Sequence, residues 1–414
     1  MHKTKRNMSD DDEPQPAAKR TKTNDGNMIP VETSTERALR ITHAWRSIVF
    51  PRLTELGIPL DVADVARLAE AAYPLVHTVA NIRGIMDEAC EFGLLRVAKC
   101  AIRKIPCGYR GQHIQRWLCL ACRFGNLDVA KWLSAELKLG YGNVRCANCE
   151  VLYTSCANGR LEVAKWLATK FRLKPADVRA GENCALRRSC ARGQLEAAKW
   201  LTAEFKLGPE DARAEDNEAL RASCENGYLD VAKWLVTEFG LKDKLLGADL
   251  FRTNCARGRL EVAKWLATEF KLGPEDARTN GNEALRRSCE NGYLEVAKWL
   301  AAEFKLGPED ARAEDDCALC MSCTWGHLEV AKWLVTEFGL KDNVLNDKLL
   351  GSRLFWSNCA RGRLEVAKWL ATEFKLGPDD VGNFILLYWK HTNEHADVVE
   401  WLITEFNLDV RLLR

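Results

Sequence analysis

The chain has 414 residues, of which 60 are lysine or arginine and 58 are aspartate or glutamate, for a net charge of +2. This near balance excludes the chain-wide positive field that is typical of nucleic-acid-binding proteins. No apolar run approaches the roughly 18 residues that a membrane span needs, and the polar N-terminus has no apolar signal segment. Seventeen cysteines in such a chain indicate a reducing intracellular compartment, cytoplasmic or nuclear.

Residues 1–30 are polar, charged and proline-bearing, which predicts a disordered tail. Within this tail, Lys19, Arg20 and Lys22 follow Pro16 in a short basic cluster that resembles a nuclear import signal. The alternative is an ordinary solvated basic tail, because such short motifs often occur without any function. The composition leaves both interpretations open.

Residues 31–83 do not follow the pattern of the rest of the chain. Two amphipathic helices are predicted here, Thr35–Phe50 and Asp61–Ala72, each followed closely by a proline. We expect them to form a helical N-terminal cap over the apolar end of a helical array. The alternative is a docking module of a ubiquitin ligase adaptor within residues 33–83, although the Leu-Pro opening of such a module is absent.

From residue 84 to residue 414 the chain is built from a repeated unit. The block Leu-Glu-Val-Ala-Lys-Trp-Leu recurs almost unchanged, and a cysteine stands ten residues before the tryptophan position in nine copies. About ten copies, spaced 31 to 36 residues apart, indicate a stacked array of helices. The cysteines of this position, called slot cysteines below, are Cys90, Cys122, Cys156, Cys190, Cys224, Cys255, Cys289, Cys323 and Cys359.

The unit that begins at Asn282 shows the local structure that the pattern predicts. Asn282 is suited to cap a short first helix that ends near Cys289, and Gly292 can adopt the positive φ of the following turn. The apolar residues between Leu294 and Phe304 recur at helical spacing and predict a second helix. The segment Gly-Pro-Glu-Asp then ends that helix and turns the chain.

The second-helix segments, such as Asn-Gly-Tyr293-Leu-Glu-Val-Ala-Lys-Trp-Leu300, resemble those of the ankyrin repeat family. The resemblance implies an all-α, ankyrin-like helical repeat solenoid of about ten repeats. It also implies a protein that binds other proteins along one face, and we expect a monomer. The pattern is similar to that of ankyrin proteins from large DNA viruses of amoebae and from some protists, for which the compartment would be that of the host cell.

Two features depart from the family pattern. The Thr-Pro-Leu-His opening of its first helix reads Glu283-Ala-Leu-Arg286 here, so the Thr and His that tie neighbouring ankyrin repeats together are missing. The usual hairpin is replaced by segments such as Phe304–Arg312. We therefore expect turns or short helical segments in place of regular β-hairpin fingers.

Several residues have the spacing of a chemical site, but their positions in the repeat favour structural roles. Zinc-ligand spacing occurs in the pairs Cys119/Cys122 and Cys146/Cys149 and in the run Cys317, Cys320 and Cys323. Cys122 is a slot cysteine, however, and the recurrence of that slot indicates a small apolar core residue. Histidines have no fixed nucleophile or acid–base partner, and no glycine-rich phosphate loop occurs. We predict no enzymatic activity, no metal ion and no cofactor.

The candidate binding surface lies two and three residues before each slot cysteine, on the first helices. Arginine dominates these positions in the central repeats, and acidic loops such as Glu309-Asp310 rim them. Such a row suits an acidic segment of a protein partner. The alternative is that the arginines pair with loop carboxylates of their own or adjacent repeats. The predicted contact residues are Arg187, Arg188, Arg221, Arg252, Arg286, Arg287 and Met321.

These patterns predict a non-catalytic protein–protein interaction scaffold whose unknown partner binds the concave face of the array. One alternative is a substrate adaptor of a ubiquitin ligase that docks through residues 33–83. Another is a nucleic-acid or chromatin binder that uses the arginine row, which the balanced charge disfavours.

Overall fold

The architecture is described from a computed structural model. The residues that the structure describes are 20–22, 28–30, 79–340, 348–378 and 395–407. The two predicted helices of the N-terminal cap, Thr35–Phe50 and Asp61–Ala72, lie outside the described residues. The same holds for the start of the last repeat.

The described part of the N-terminal tail contains two short strands. Strand β1 (Arg20–Lys22) pairs with β2 (Met28–Pro30) in an antiparallel ladder that places Thr21 opposite Ile29. Arg20 and Lys22 of the proposed import signal therefore belong to β1, whereas Lys19 lies outside the described residues. Import activity and disorder in the rest of residues 1–30 stay predictions.

The chain consists of two compact units, which meet between Asn143 and Val144 in the sequence. The first unit contains helices α1 (Val79–Phe92), α2 (Leu95–Lys104), α3 (Cys107–Phe124) and α4 (Leu127–Glu136). Helix α5 (Tyr141–Ala157) begins just before the division. The second unit continues with α6 (Leu161–Phe171), α7 (Pro175–Val178), α8 (Ala180–Ala191), α9 (Leu195–Phe205), α10 (Pro209–Ala212), α11 (Ala214–Glu225), α12 (Leu229–Phe239), α13 (Lys244–Ala256), α14 (Leu260–Glu269), α15 (Pro274–Glu290), α16 (Leu294–Phe304), α17 (Pro308–Ala311), α18 (Ala313–Trp325), α19 (Leu328–Glu337), α20 (Lys348–Cys359), α21 (Leu364–Glu373) and α22 (Ala396–Phe406).

Each repeat consists of a first helix that carries the slot cysteine near its end and a second helix that begins with the Leu-Glu-Val-Ala block. Repeats 1 to 9 have as their first helices α1, α3, α5, α8, α11, α13, α15, α18 and α20, and α22 is the second helix of repeat 10. Consecutive first helices of the second unit pack against each other, as α8 does against α11 and α15 against α18. The all-α, ankyrin-like repeat architecture is therefore confirmed.

The predicted second helix of repeat 7 is confirmed at both ends. Helix α16 runs from Leu294 to Phe304, and Gly292 in the preceding turn has φ +78°. A residue with a Cβ would be strained in this left-handed region, which is why glycine recurs at this turn. The apolar side of α16 is buried through Val296 and Leu300, at 2% and 0% exposure.

Short helices connect several repeats, at the positions where the sequence predicted turns or short helical segments in place of β-hairpins. Helices α7, α10 and α17 each begin with proline, whose missing N–H is not needed in the first turn of a helix. The carboxylate of the aspartate two residues later accepts the N–H of the residue before the proline, as between Asp211 Oδ2 and Gly208 N at 2.8 Å. This capping arrangement confirms the expectation of short helical segments.

Several first helices contain a short left-handed segment within their bounds, which breaks the helix there. Asn282, predicted to cap the first helix of repeat 7, has φ +58°, which is not the extended backbone of a helix cap. The cap prediction was therefore wrong. The Asn282 amide instead donates to Asp310 Oδ1 of the next repeat at 3.3 Å. Such left-handed runs occupy Gly181–Asn183, Glu215–Asn217, Asn280–Asn282 and Glu314–Asp316.

The core of the second unit is one continuous apolar cluster that extends from Cys149 to Phe406. The slot cysteines lie within the cores of their units, and Cys190 and Cys289 have 0% exposure. Burial raises the pKa of the Cys224 thiol to about 12, so the thiol stays protonated at neutral pH. Each described repeat tryptophan of this unit is half-buried against the core. The apolar role predicted for the slot cysteines is confirmed.

We expect Gly247→Ala to destabilise the array, because no room exists for a methyl group inside α13. A Cβ at Gly247 would lie 2.3 Å from Cγ of the Phe270 ring. Overpacking of this kind lowers the free energy of unfolding by about 1–3 kcal/mol. Urea unfolding followed by tryptophan fluorescence measures it. Gly208→Ala is the control, since a Cβ there meets nothing within 4 Å, and equal unfolding of the two variants would contradict the packing.

Candidate binding face on the first helices

The structure brings the predicted contact residues onto consecutive first helices of the second unit. Arg187 and Arg188 lie on α8, Arg221 on α11, Arg252 on α13, Arg286 and Arg287 on α15, and Met321 on α18. Because each of these helices packs against the next, the residues form one row across repeats 4 to 8. Within this row the two arginine positions of a repeat have different environments.

In repeats 4, 5 and 7 the arginine three residues before the slot cysteine donates to carbonyl groups of the left-handed turn in its own repeat. In α8, Arg187 Nε donates to Glu182 O at 2.6 Å and Nη2 donates to Gly181 O at 3.0 Å. Arg286 makes the same pair of bonds to its own turn in repeat 7. Left-handed backbone is unfavourable for residues with a Cβ, so these hydrogen bonds help to hold a conformation that the sequence alone does not favour.

In repeats 4 to 6 the side chain of this arginine also contacts the first helix of the next repeat. Its partner is a carboxylate six residues before the slot cysteine, and the pairs are Arg187–Glu218, Arg221–Asp249 and Arg252–Glu283. The arginines of these pairs are 15%, 35% and 18% exposed. We call this row of pairs the first-helix ladder. These three arginines are paired with carboxylates of the adjacent repeat, which belong to first helices and not to the loops that the alternative named.

The carboxylates that were predicted to lie in loops belong to helices, and they form a second ladder with other basic residues. Asp211 binds the Arg179 guanidinium through both oxygens, at 2.8 and 3.0 Å, and Asp310 binds Arg278 in the same way. Lys244 Nζ lies 2.9 Å from Asp276. Asp211 is 6% exposed, so this part of the predicted acidic rim faces inward and joins repeats together.

The environment of these aspartates shifts their titration. Burial acts to raise the pKa of Asp211, but the Arg179 guanidinium and the Gly208 N–H outweigh it and hold the pKa below its usual value. The pKa of Asp310 is lowered in the same manner by Arg278 and Gly307, against the effect of burial. These carboxylates are therefore charged at neutral pH and bind their basic partners most strongly in that state.

The arginine position nearest the slot cysteine stays accessible. Arg188 is exposed, with its guanidinium 5.9 Å from the centre of the Tyr153 ring. Arg287 is 51% exposed and contacts Glu290 of its own helix at 3.0 Å. Met321 is half-buried on α18. Among the predicted contact residues, Arg188 and Arg287 are thus the basic groups that a partner can reach most directly.

No group of three or more His, Cys, Asp or Glu side chains within the described ranges is arranged to hold a metal ion. Cys149 is buried, whereas the side chain of Cys146 lies outside the description. In the part of the chain that the structure covers, no helix is both long and apolar enough to cross a lipid bilayer.

Comparison with known proteins identifies the repeats. A family model described as ankyrin repeats (3 copies) matches residues 118–211 and 251–347. These two segments contain one whole pair of the first-helix ladder, Arg252–Glu283, and the whole of α15 to α19. Among curated proteins, none matches the chain.

We expect the second ladder to make stability fall in acid. Because the folded-state pKa values of Asp211 and Asp310 are lowered, their contribution is present above about pH 4–5 and is lost as the pH falls through the folded values. Asp211→Asn with Asp310→Asn should lower the free energy of unfolding at pH 6 by about 1 kcal/mol per site, since the arginines are partly screened by water. Between pH 6 and pH 2.5, the urea midpoint of the double asparagine variant should then change less than the urea midpoint of the wild type.

Glu210→Gln with Glu309→Gln is the matched control for this titration. Both glutamates are exposed neighbours of the ladder aspartates, and the change removes the same amount of charge. The control should keep the acid dependence of the wild type. A double asparagine variant whose acid dependence parallels that of the wild type would show that the second ladder does not contribute to stability.

Proposed function

We propose that this chain, which belongs to the ankyrin repeat family, is a non-catalytic interaction scaffold that binds a protein partner on its first-helix face. Ankyrin repeats are in general protein–protein interaction modules. A stacked array offers an extended surface and not one deep pocket, which suits the recognition of another protein. The residues proposed to contact the partner are those of the accessible arginine position, with Arg188 and Arg287 foremost.

The proposal rests on the contrast between a uniform buried position and a varied position that is exposed or half-buried. The slot position is a buried cysteine in every described first helix. Two residues before it, on the accessible side, the side chain changes from repeat to repeat. From repeat 4 to repeat 9 this position holds Arg188, Ala222, Thr253, Arg287, Met321 and Ser357. A fold that is constant inside and variable on one face can be specific for one partner without any change in packing.

The charge arrangement gives no support to nucleic-acid binding. Arg187, Arg221 and Arg252 are each paired with a carboxylate of the next repeat, so their charge is neutralised within the array. A polyanion would have to displace those carboxylates to use the row. The ligase-adaptor alternative depends on residues 33–83, which lie almost entirely outside the described residues. An intracellular location and a monomeric state remain predictions.

Charge reversal at the accessible positions tests the proposal. Arg188→Glu with Arg287→Glu should weaken capture of the native partner by about tenfold or more, because opposite charge is placed in the contact. Partners captured from native cells are identified by mass spectrometry, and the affinity of the purified partner is then compared between variants. Circular dichroism confirms that each variant is folded.

Lys199→Glu with Lys298→Glu is the matched control. These lysines are 46% and 45% exposed on second helices, so the same charge change is made on a different face. The control should bind like the wild type. Equal weakening by both double variants, or unchanged binding by the arginine variant, would place the contact elsewhere.

A further inference from the structure

The first-helix ladder is interrupted at repeat 8. In repeats 5, 6 and 7 the position six residues before the slot cysteine carries Glu218, Asp249 and Glu283. In repeat 8 the same position carries Cys317. Three residues later, where the preceding repeats carry the ladder arginine, repeat 8 carries Cys320. Two thiols therefore replace the acid and the base of the pattern.

Arg286 is the last arginine of the ladder, and it faces this interruption. Its bonds to the carbonyl groups of Gly281 and Asn280 match the two bonds that Arg187 makes to its own turn. Across the repeat boundary, however, Nη1 of Arg286 lies 3.7 Å from Cys317 Sγ. The ladder arginines of repeats 4 to 6 contact a carboxylate at this place. Within the described residues, Arg286 forms no ion pair with a carboxylate.

A second guanidinium faces the interruption from repeat 9. Arg353 occupies the position six residues before Cys359, where repeats 5 to 7 carry acids. It is exposed and interacts with the Cys320 thiol. Burial raises the pKa of Cys320 to about 11, and Arg353 only partly offsets this effect, so the thiol is uncharged at neutral pH. Arg353 has no carboxylate partner in the part of the chain that the structure describes.

Acidic residues are present nearby, but they do not compensate these two arginines. Glu314, Asp315 and Asp316 form the left-handed turn near the start of α18, the first helix of repeat 8. The Glu314 carboxylate lies against Gly281, and the Asp315 carbonyl accepts from Cys320 Sγ at 4.0 Å. Neither Arg286 nor Arg353 forms an ion pair with any of the three within the described chain.

Apolar side chains continue the same face of α18. Met321 and Trp325 follow Cys317 at intervals of four residues, which places all three along one side of a helix. Trp325 is 56% exposed, the largest exposed aromatic fraction among the described residues. The interruption thus combines two unpaired guanidinium groups with an exposed apolar surface, a composition typical of the centre of a protein interface.

We propose that this interruption, formed by Cys317 and Cys320 between Arg286 and Arg353, is a docking site for an acidic segment of a protein partner. The partner's carboxylates take the place that Glu218, Asp249 and Glu283 occupy in the preceding repeats. Met321 and Trp325 receive an apolar side chain of the same segment. The proposal deepens the scaffold function and rests on it, since it names the chemistry of the partner and the repeat that receives it.

Two double variants separate charge from shape at this site. Cys317→Glu with Cys320→Glu places the chain's own carboxylates against Arg286 and Arg353 and so completes the ladder. Cys317→Gln with Cys320→Gln introduces side chains of the same size without charge. The probe is a short fluorescein-labelled peptide rich in glutamate and leucine, followed by fluorescence anisotropy, and a peptide with glutamine in place of glutamate is its control.

The wild type and the glutamine variant should bind the acidic peptide with similar affinity, and the glutamate variant should bind it about tenfold more weakly or worse. The control peptide should not bind. Equal binding by the glutamate variant, loss of binding by the glutamine variant, or no preference of the wild type for the acidic peptide would each overturn the proposal.

A third variant keeps the test valid if the substitutions at the half-buried Cys317 and Cys320 disturb folding. Arg353→Gln changes an exposed side chain, so the fold should be kept, and binding of the acidic peptide should weaken about threefold or more. Unchanged binding would reject the site. If the native partner responds to Arg188→Glu with Arg287→Glu but not to the glutamate variant at Cys317 and Cys320, the scaffold function stands and this docking site is wrong.

Discussion

Each repeat of this chain buries its apolar surface only against its neighbours, and that constraint determines the rest of the structure. A first helix alone would expose its slot cysteine and the leucine before it, whereas stacking leaves Cys190 and Leu186 with 0% exposure. The cysteine is small enough for consecutive first helices to pack closely, and its thiol stays protonated because burial raises its pKa. The stability of such an array is approximately a sum of contributions from single repeats and from the contacts between neighbours.

Charged groups follow the same nearest-neighbour rule. The family's Thr and His contacts between repeats are missing, and two rows of ion pairs connect the repeats in their place. Neutral hydrogen bonds add to them, as from the Asn291 amide to Ala256 O at 2.9 Å. Whether an arginine on the first helices is available to a partner therefore depends on the residue that the next repeat places opposite it. Arg187 meets Glu218, whereas Arg286 meets the thiol of Cys317.

The repeat period predicted much of this architecture from the sequence. Helix α16, the positive φ of Gly292 and the buried slot cysteines follow from local patterns, which one repeat is sufficient to specify. The partners of the arginines could not be predicted with the same certainty, because Arg187 and Glu218 are separated by a whole repeat. A signal was present nonetheless, since acids stand six residues before the slot cysteine in three consecutive repeats. The left-handed backbone of Asn282 was missed because asparagine is also a common helix cap.

A pair of double-mutant cycles tests most directly whether the neighbour decides the role of each arginine. The first cycle combines Arg187→Gln with Glu218→Gln, and the second combines Arg286→Gln with Cys317→Ser, with unfolding by urea as the measurement. The half-buried ion pair should give a coupling energy of about 0.5–1.5 kcal/mol, and the arginine–thiol pair should give a coupling near zero. Equal coupling in the two cycles, or none in the first, would contradict the account.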